Sequence, residues 1–428
     1  MPSEALNILE RLARDYPTTP EIVRLKAALL FEGVQFDPSL VRAADWAFPN
    51  FMPYHLPTGV PAIDGKRVVA LPYLFRFPDD TQARLRIKES SPFTVRATED
   101  EYELFIDDEL VTSTSFEVRQ HWADLLTADG TPMKATGLSQ HGDMLVLNVA
   151  PGCEYFVVPR QSGEGTENLS CKFCLYGLPD KRMEPLGQEL YVIDVPTPTI
   201  ERVIEACAHE STDAKQLYMV GGSMLDMEAE GERFVQIAER LHAAGLTERY
   251  YVACGSGAIP KAAMKRLREL GVKGACFNLE VWDPVQFERV CPGKHAIVGR
   301  TRWLESLEDA VDVFGRGHVM SAFVGGAELE GDGVCQTPDE ALQSAIEAGE
   351  YLTKRGIHAV FSLHWKMTGK NRGQEPIYSL DFFLKLNEAL RDIRRREALP
   401  INTDFFSKRA AYMQLEPDYD ALESMHSC

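Results

Sequence analysis

The chain has 428 residues, a length that favours two domains, and its 45% hydrophobic and 25% charged residues are typical of soluble globular proteins. Its formal net charge of −19 argues against nucleic acid as a partner, because phosphate backbones repel an acidic surface. No apolar run reaches the roughly 18 residues that cross a bilayer, so we expect no membrane partner. The nine irregularly spaced cysteines do not indicate a disulfide framework, so we expect a cytoplasmic protein.

Residues 1–140 have a different pattern from the rest of the chain and are predicted to form an accessory α+β domain. Two helices are predicted near Ser3–Asp15 and Thr19–Phe31, and proline-rich turns follow them. The segment Ser115–Leu125 fits a strand or a helix equally well. Alternating apolar runs predict antiparallel strands at Val68–Phe75, Ala83–Lys88, Phe93–Arg96, Tyr102–Ile106 and Thr112–Val118.

From Met144 onward, short apolar runs alternate with helical patterns. Strands are predicted at Met144–Val149, Gln216–Val220, Tyr250–Ala253, Gly274–Leu279, Val319–Val324 and Ala359–Leu363. Helices are predicted at Thr199–Ala208, Glu232–Ala244, Pro260–Leu270, Arg302–Phe314, Pro338–Arg355 and Ser379–Arg395. Six β/α units imply a parallel sheet, so we predict an α/β fold with a partial (β/α)6 TIM-like barrel over residues 141–396 and a C-terminal extension over 397–428.

Three cysteines follow the first predicted strand of this barrel, where folds of this kind place their chemistry. Seventeen residues separate Cys153 from Cys171, and two residues, Lys172 and Phe173, separate Cys171 from Cys174. Three thiolates can hold a soft metal or a four-iron cluster with one open iron. The alternative is a structural zinc site, which needs a fourth ligand that the sequence does not supply nearby.

The next two strand ends carry small residues. Gly221 and Gly222 permit a ligand to approach bare backbone, or they form a plain turn before Ser223. Cys254 and Ser256 lie among small residues that would keep the barrel mouth open.

Polar side chains follow at the later strand ends. Asn278 and Glu280 are two residues apart, so both side chains are expected on one face, where they would bind ribose hydroxyls or form an internal salt bridge. Arg300 fits either a carboxylate clamp or a surface arginine. Cys254, Cys291 and Cys335 all fall near the predicted mouth, and one of them could return a hydrogen atom to a substrate.

Residues 144 to about 396 resemble the radical S-adenosylmethionine (radical SAM) superfamily. The Cys171–Cys174 segment resembles the second half of its CxxxCxΦC signature, although the usual first gap of three residues is 17 here. Gly221-Gly222-Ser223 resembles its GGE motif, with Ser in place of Glu. The stretch from Phe277 to Glu328 is similar to the biotin synthase family, including Asn278-Leu279-Glu280 and Gly299-Arg300-Thr301.

The resemblance implies cofactors and roles for residues. A [4Fe-4S] cluster would be held by Cys153, Cys171 and Cys174, and its open iron would bind the amino and carboxylate groups of SAM. The residues expected around SAM are Phe173, Gly221, Gly222, Ser223 and Ser256, with Asn278 and Glu280 at the ribose, Arg300 at the carboxylate, and Val324 and Val360 beside the adenine.

The resemblance also implies a reaction. A flavodoxin or ferredoxin would donate one electron, SAM would be cleaved reductively, and a 5′-deoxyadenosyl radical would abstract hydrogen from a small metabolite or natural-product intermediate. A peptide substrate is the second possibility within the superfamily. The competing function is a non-enzymatic protein that holds zinc or an iron–sulfur cluster, with zinc bound by the three cysteines and one remote ligand.

Overall fold

The computed structural model describes residues 6–43, 51–99, 101–116, 122, 125–133, 138–150, 152–174, 197–208, 214–330, 334–365 and 376–420. The chain divides into two compact units. One contains residues 1–123 and 406–428, and the other contains residues 124–405. The sequence-based boundaries lie at residues 140 and 396, and the structure groups the last 23 residues with the N-terminal segment.

The first unit opens with helices α1 (Ile8–Asp15) and α2 (Glu21–Glu32). Helix α1 begins later than predicted because the side chain of Asn7 accepts a hydrogen bond from the backbone N–H of Glu10, while the Glu10 carboxylate accepts from the backbone N–H of Asn7. The strands are β1 (Phe51–His55), β2 (Val68–Pro72), β3 (Leu74–Arg76), β4 (Gln82–Arg84), β5 (Phe93–Ala97), β6 (Tyr102–Ile106) and β7 (Glu109–Phe116).

These strands form an antiparallel hairpin, β1–β2, and a five-stranded antiparallel sheet of order β4-β3-β7-β6-β5. The predicted accessory α+β fold is therefore confirmed. Strand β1 was predicted as proline-rich turns. Its Pro53 is tolerated because β1 pairs on one side only, with β2, and an edge strand can leave one N–H position empty. Of the segment Ser115–Leu125, predicted as strand or helix, Ser115 and Phe116 end β7, and residues 117–121, 123 and 124 lie outside the described residues.

The strands of the second unit are β8 (Leu138–His141), β9 (Met144–Ala150), β10 (Val158–Pro159), β11 (Thr166–Glu167), β12 (Gln216–Gly221), β13 (Tyr251–Gly255), β14 (Gly274–Cys276), β15 (Val319–Val324) and β16 (Ile357–Ser362). Strands β10 and β11 form a separate hairpin, and the other seven form one sheet of order β16-β15-β14-β13-β12-β9-β8. Its helices are α3 (Thr197–Ala208), α4 (Met227–Ala243), α5 (Leu246–Arg249), α6 (Lys261–Glu269), α7 (Pro284–Val290), α8 (Arg300–Phe314), α9 (Pro338–Lys354) and α10 (Leu380–Arg396).

Six of the seven strands in this sheet are parallel, and β8 adds an antiparallel edge beside β9. The sheet is not closed in the part of the chain that the structure describes, so the predicted partial (β/α)6 arrangement is confirmed. All six parallel strands end at the same edge, where we expected the functional residues. No helix among the described residues is both long and apolar enough to span a bilayer.

In the parallel sheet of the second unit, strand β14 is shorter than predicted. The strand expected to reach Leu279 ends at Cys276, because the side chain of Asn278 accepts a hydrogen bond from the backbone N–H of Ala322 at 3.1 Å and replaces a rung of the ladder. The chain returns to the sheet at Glu280, whose φ of +75° lies in the left-handed region. Such a conformation is unusual for a residue with a Cβ and often marks a functional site.

Helix α11 (Glu416–Asp420) ends the described chain and belongs to the first unit. The carboxylate of Asp418 in this helix is buried and accepts a hydrogen bond from the Lys26 ammonium at 2.6 Å. Lys26 also donates to the carbonyl of Ala411, and Thr81 donates to Asp418. This buried ion pair fixes residues 416–420; residues 421–428 lie outside the described chain.

Candidate functional site

The carboxyl ends of β9 and β12 approach each other so closely that Gly222 has no space for a side chain. A Cβ at Gly222 would lie 2.0 Å from the carbonyl oxygen of Gly152 and 2.5 Å from the Cα of Cys153. One residue further along each loop, the backbone N–H of Glu154 donates to the carbonyl of Ser223 at 2.9 Å. The space that a side chain at Gly222 would need is therefore filled by the backbone of the Cys153 loop. The contact between the Gly221-Gly222 backbone and a ligand stays a prediction.

Backbone hydrogen bonds connect this loop to the segment that carries Cys171 and Cys174. The N–H of Leu169 donates to the carbonyl of Tyr155 at 2.8 Å, and the N–H of Gly293 donates to the carbonyl of Leu169 at 2.8 Å. The N–H of Lys172 donates to the carbonyl of Val290, also at 2.8 Å. Three segments, 153–155, 169–174 and 290–294, are thus held together despite their separation in sequence.

The thiols on these segments affect one another. Burial raises the pKa of Cys153 to about 11, and the neighbouring thiol of Cys171 adds to this effect. A hydrogen bond with the side chain of Cys291 lowers the pKa of Cys171, while burial raises the pKa of Cys291. Cys174 follows in a tight turn, in which its N–H donates to the carbonyl of Cys171 at 2.9 Å.

The donor set was tested against a [4Fe-4S] cluster. Within the described residues no three His, Cys, Asp or Glu side chains stand in a group that could hold a metal ion. The fit therefore rests on chemistry and backbone: Cys153 and Cys171 are electrostatic neighbours on hydrogen-bonded loops, and Cys174 lies one tight turn from Cys171. Thiolates are the ligands that iron–sulfur clusters require. On these grounds the three residues fit the cluster that the sequence predicts.

A lysine that the sequence analysis missed lies at the centre of this region. The Lys294 ammonium donates to the Glu280 carboxylate at 3.0 Å and to the carbonyl of Asn278 at 2.5 Å. It lies 4.4 Å from the centroid of the Trp303 ring. Burial alone would lower the pKa of Lys294, but the Glu280 carboxylate and the nearby side chains of Cys171 and Cys291 raise it above its usual value. The internal salt bridge considered for Glu280 is therefore present.

A buried carboxylate joins the ends of β12 and β13. Glu230 accepts hydrogen bonds from the backbone N–H of Met224 at 2.9 Å and of Gly257 at 2.5 Å. Burial raises its pKa to about 7, and these two N–H donors oppose the shift. Next to it, the hydroxyl of Ser256 donates to the carbonyl of Gly257 at 3.0 Å. Glu230 is a structural acceptor that holds two strand ends in place.

The three cysteines proposed as hydrogen donors lie in different environments. Cys291 contacts Cys171, beside the proposed cluster. Cys254 is buried within β13, between Met219 and Ala275 of the neighbouring strands, and burial raises its pKa. Cys335 lines a groove of about 520 Å³ with Trp282 and several acidic side chains, and burial raises its pKa to about 11.

The remaining predicted SAM contacts are placed as follows. Arg300 is the first residue of α8 and donates to the carbonyl of Trp282 at 3.1 and 2.8 Å, with its guanidinium 4.5 Å from the Trp282 ring centroid. Val324 is buried, and its N–H donates to the carbonyl of Glu280 at 2.8 Å. Val360 is buried in β16. The Phe173 ring lies 5.7 Å from the imidazole of His364 in an edge-to-face arrangement.

Known proteins offer distant relatives, although no family model matches the chain. The chain is 21% identical to bacteriochlorophyllide c C-7(1)-hydroxylase of Chlorobaculum limnaeum over 387 residues, which are 88% of this chain and 85% of that one. Among solved structures, methylornithine synthase is similar with a TM-score of 0.40, 13% identity, and coverage of 68% of this chain and 79% of that one. A radical SAM methyltransferase from Sphaerobacter thermophilus matches with a TM-score of 0.37, 14% identity and 93% coverage of each chain. Coproporphyrinogen III oxidase from Escherichia coli, a radical SAM enzyme, matches with a TM-score of 0.34, 11% identity, and coverage of 62% of this chain and 55% of that one.

The approach of β9 and β12 predicts that Gly222→Ala is strongly destabilising. The added methyl group would overlap the backbone of Gly152, and the Cys153 loop would have to move. Overpacking of this kind costs about 1–3 kcal/mol. We expect a lower urea midpoint. The control is Gly245→Ala, where the new Cβ meets no atom within 4 Å and only its positive φ is unfavourable; equal urea midpoints for both variants would contradict the prediction.

The raised pKa of Glu230 predicts a pH-dependent stability. Between its ordinary value of 4.5 and its folded value of about 7, the folded state holds a proton that the unfolded state has released. Stability therefore falls as the pH rises through this window, by about 3 kcal/mol at 1.36 kcal/mol per pKa unit. The unfolding free energy of the wild type minus that of Glu230→Gln should show this decrease. The exposed Glu248→Gln should show none, and a flat difference for Glu230→Gln would refute the assignment.

Proposed function

We propose, on the premise that this chain is a radical SAM enzyme, that it cleaves SAM reductively at a [4Fe-4S] cluster and abstracts hydrogen from a small metabolite or natural-product intermediate. Cys153, Cys171 and Cys174 would hold the cluster. The observation that carries the proposal is that the Cys153 loop is hydrogen-bonded to the segment before Cys171, through the Leu169 N–H and the Tyr155 carbonyl, at the carboxyl ends of parallel strands. When bound, the cluster and SAM supply a one-electron reduction and a carbon radical.

The protein's own residues would bind and orient SAM. We assign the ribose to Glu280 and Asn278, the methionyl amine to the backbone of Gly221 and Gly222, and the methionyl carboxylate to Arg300. The left-handed backbone of Glu280 supports the first assignment, because a conformation that costs free energy is retained where it positions a side chain. The buried Val324 and Val360 would flank the adenine, and Ser223, Ser256 and Phe173 would complete the pocket.

The protein would also have to exclude water from the radical, because a dry site protects a reactive intermediate from side reactions. The burial of Tyr155, Cys171 and Trp303, and of Phe323 and Val324 on β15, supports this role. We propose a flavodoxin or ferredoxin as the electron donor and a cytoplasmic location, both from the resemblance and the sequence.

The substrate class rests on the relative. The hydroxylase from Chlorobaculum limnaeum acts on bacteriochlorophyllide c, and the match spans most of both chains. This supports chemistry at a carbon atom of a small molecule over modification of a peptide. At 21% identity it does not support the same substrate.

A second candidate function has one observation in its favour. Cys291 contacts Cys171 and would supply the remote fourth ligand that a non-enzymatic zinc protein needs. Four thiolates would close the coordination sphere and leave no position for SAM.

Metal and product analysis distinguishes the two functions. Protein purified without oxygen should contain about four irons and four sulfides per chain, and should release 5′-deoxyadenosine on addition of SAM and dithionite. Replacing Cys153, Cys171 or Cys174 by Ala should abolish both iron binding and product. Cys207→Ala is the matched control, since Cys207 is buried in α3. One zinc per chain and no 5′-deoxyadenosine would refute the proposed reaction.

The contact with Cys171 favours Cys291 as the hydrogen donor, whereas Cys254 and Cys335 are proposed from sequence position alone. The expected result is that Cys291→Ala changes the deuterium content or stereochemistry of the product formed in deuterated buffer. Cys254→Ala and Cys335→Ala should not change it. Identical products from all three variants would show that no cysteine returns hydrogen.

A further inference from the structure

Lys294 is a buried cation with a fixed position. It begins a π-helical turn, Lys294–Val298, directly after the Cys291 loop. Its ammonium is held by the Glu280 carboxylate and the carbonyl of Asn278, and it lies against the face of Trp303. A side chain with two hydrogen bonds and an aromatic contact has little freedom to turn towards solvent.

The backbone places this cation beside the proposed cluster loop. Gly293 donates its N–H to the carbonyl of Leu169, and a Cβ at Gly293 would lie 2.7 Å from that oxygen and 2.7 Å from the Tyr155 ring. Only glycine fits such a close approach. A second backbone contact joins the same segments, since the N–H of Lys172, next to Cys171, donates to the carbonyl of Val290 at 2.8 Å.

We propose that Lys294 and Glu280 set the reduction potential of the cluster through their opposing charges. The inference rests on the proposed function, because it requires a cluster on Cys153, Cys171 and Cys174. Reduction adds one electron and breaks no bond, so the reduced cluster carries one more negative charge. A buried ammonium stabilises that charge and raises the potential, and a carboxylate opposes it.

Because Lys294 and Glu280 carry opposite charges, removing each charge should shift the midpoint potential in opposite directions. Lys294→Met removes the positive charge with little change in volume, so the midpoint potential should become more negative. Glu280→Gln removes the negative charge and should make the potential more positive. Lys294→Arg keeps the charge and should stay close to the wild type. A role limited to packing would not produce shifts of opposite sign.

The experiment is a redox titration of the cluster in enzyme without SAM, followed by electron paramagnetic resonance of the reduced form. Lys273→Met is the matched control, because Lys273 is a half-buried lysine that precedes β14 and donates to the carbonyl of Tyr250 at 3.0 Å. Its potential should match the wild type. Iron and sulfide are measured in every variant before titration.

The outcomes separate the inference from the proposed function. Wild-type protein without iron and sulfide would refute the proposed function itself. A loaded wild type whose Lys294→Met and Glu280→Gln variants keep the wild-type potential, or shift in the same direction, would overturn the inference alone. Weaker SAM binding by Lys294→Met without a change in the SAM-free potential would also overturn it. If Lys294→Met does not load iron, the inference is tested by the other two variants. It then requires a more positive potential in Glu280→Gln and a potential close to the wild type in Lys294→Arg.

Discussion

The close approach of two backbones at Gly222 is the constraint on which the site depends. Any side chain at Gly222 would overlap Gly152, so the loops after β9 and β12 can meet only through glycine. Once they meet, the Glu154 N–H reaches Ser223, and the carbonyl of Tyr155 is presented to Leu169. The second cysteine segment is therefore positioned by main-chain contacts. This explains how a 17-residue gap can separate two proposed ligands that end up as neighbours.

Two carboxylates accept hydrogen bonds from backbone N–H groups at these strand ends. Glu154 accepts a hydrogen bond from the N–H of Leu225 at 2.7 Å, and Glu230 accepts from Met224 and Gly257. Backbone N–H groups at strand ends have no partner in the ladder, and a buried donor without an acceptor is costly. The loop after β12 therefore contacts carboxylates supplied by neighbouring elements.

The sequence predicted the sheet well because its strands are buried apolar runs. The bounds of Val319–Val324 match the structure, and the other five parallel strands differ by a few residues at their ends. The departures have physical causes that a pattern does not contain. Strand β14 stops early because a side chain, Asn278, replaces a backbone acceptor. Strand β8 was missed because its four residues, LSQH, carry too few apolar positions to show a period.

The candidate site was predictable where chemistry is local in sequence and unpredictable where it depends on tertiary contacts. The cysteine spacing predicts candidate metal ligands, but nothing near Lys294 signals that its partner is Glu280, on the far side of α7. That contact has an electrostatic consequence. A buried ammonium is costly unless negative charge lies beside it, and the Glu280 carboxylate supplies that charge. The position of Lys294 is therefore set by a tertiary contact that no local sequence pattern contains.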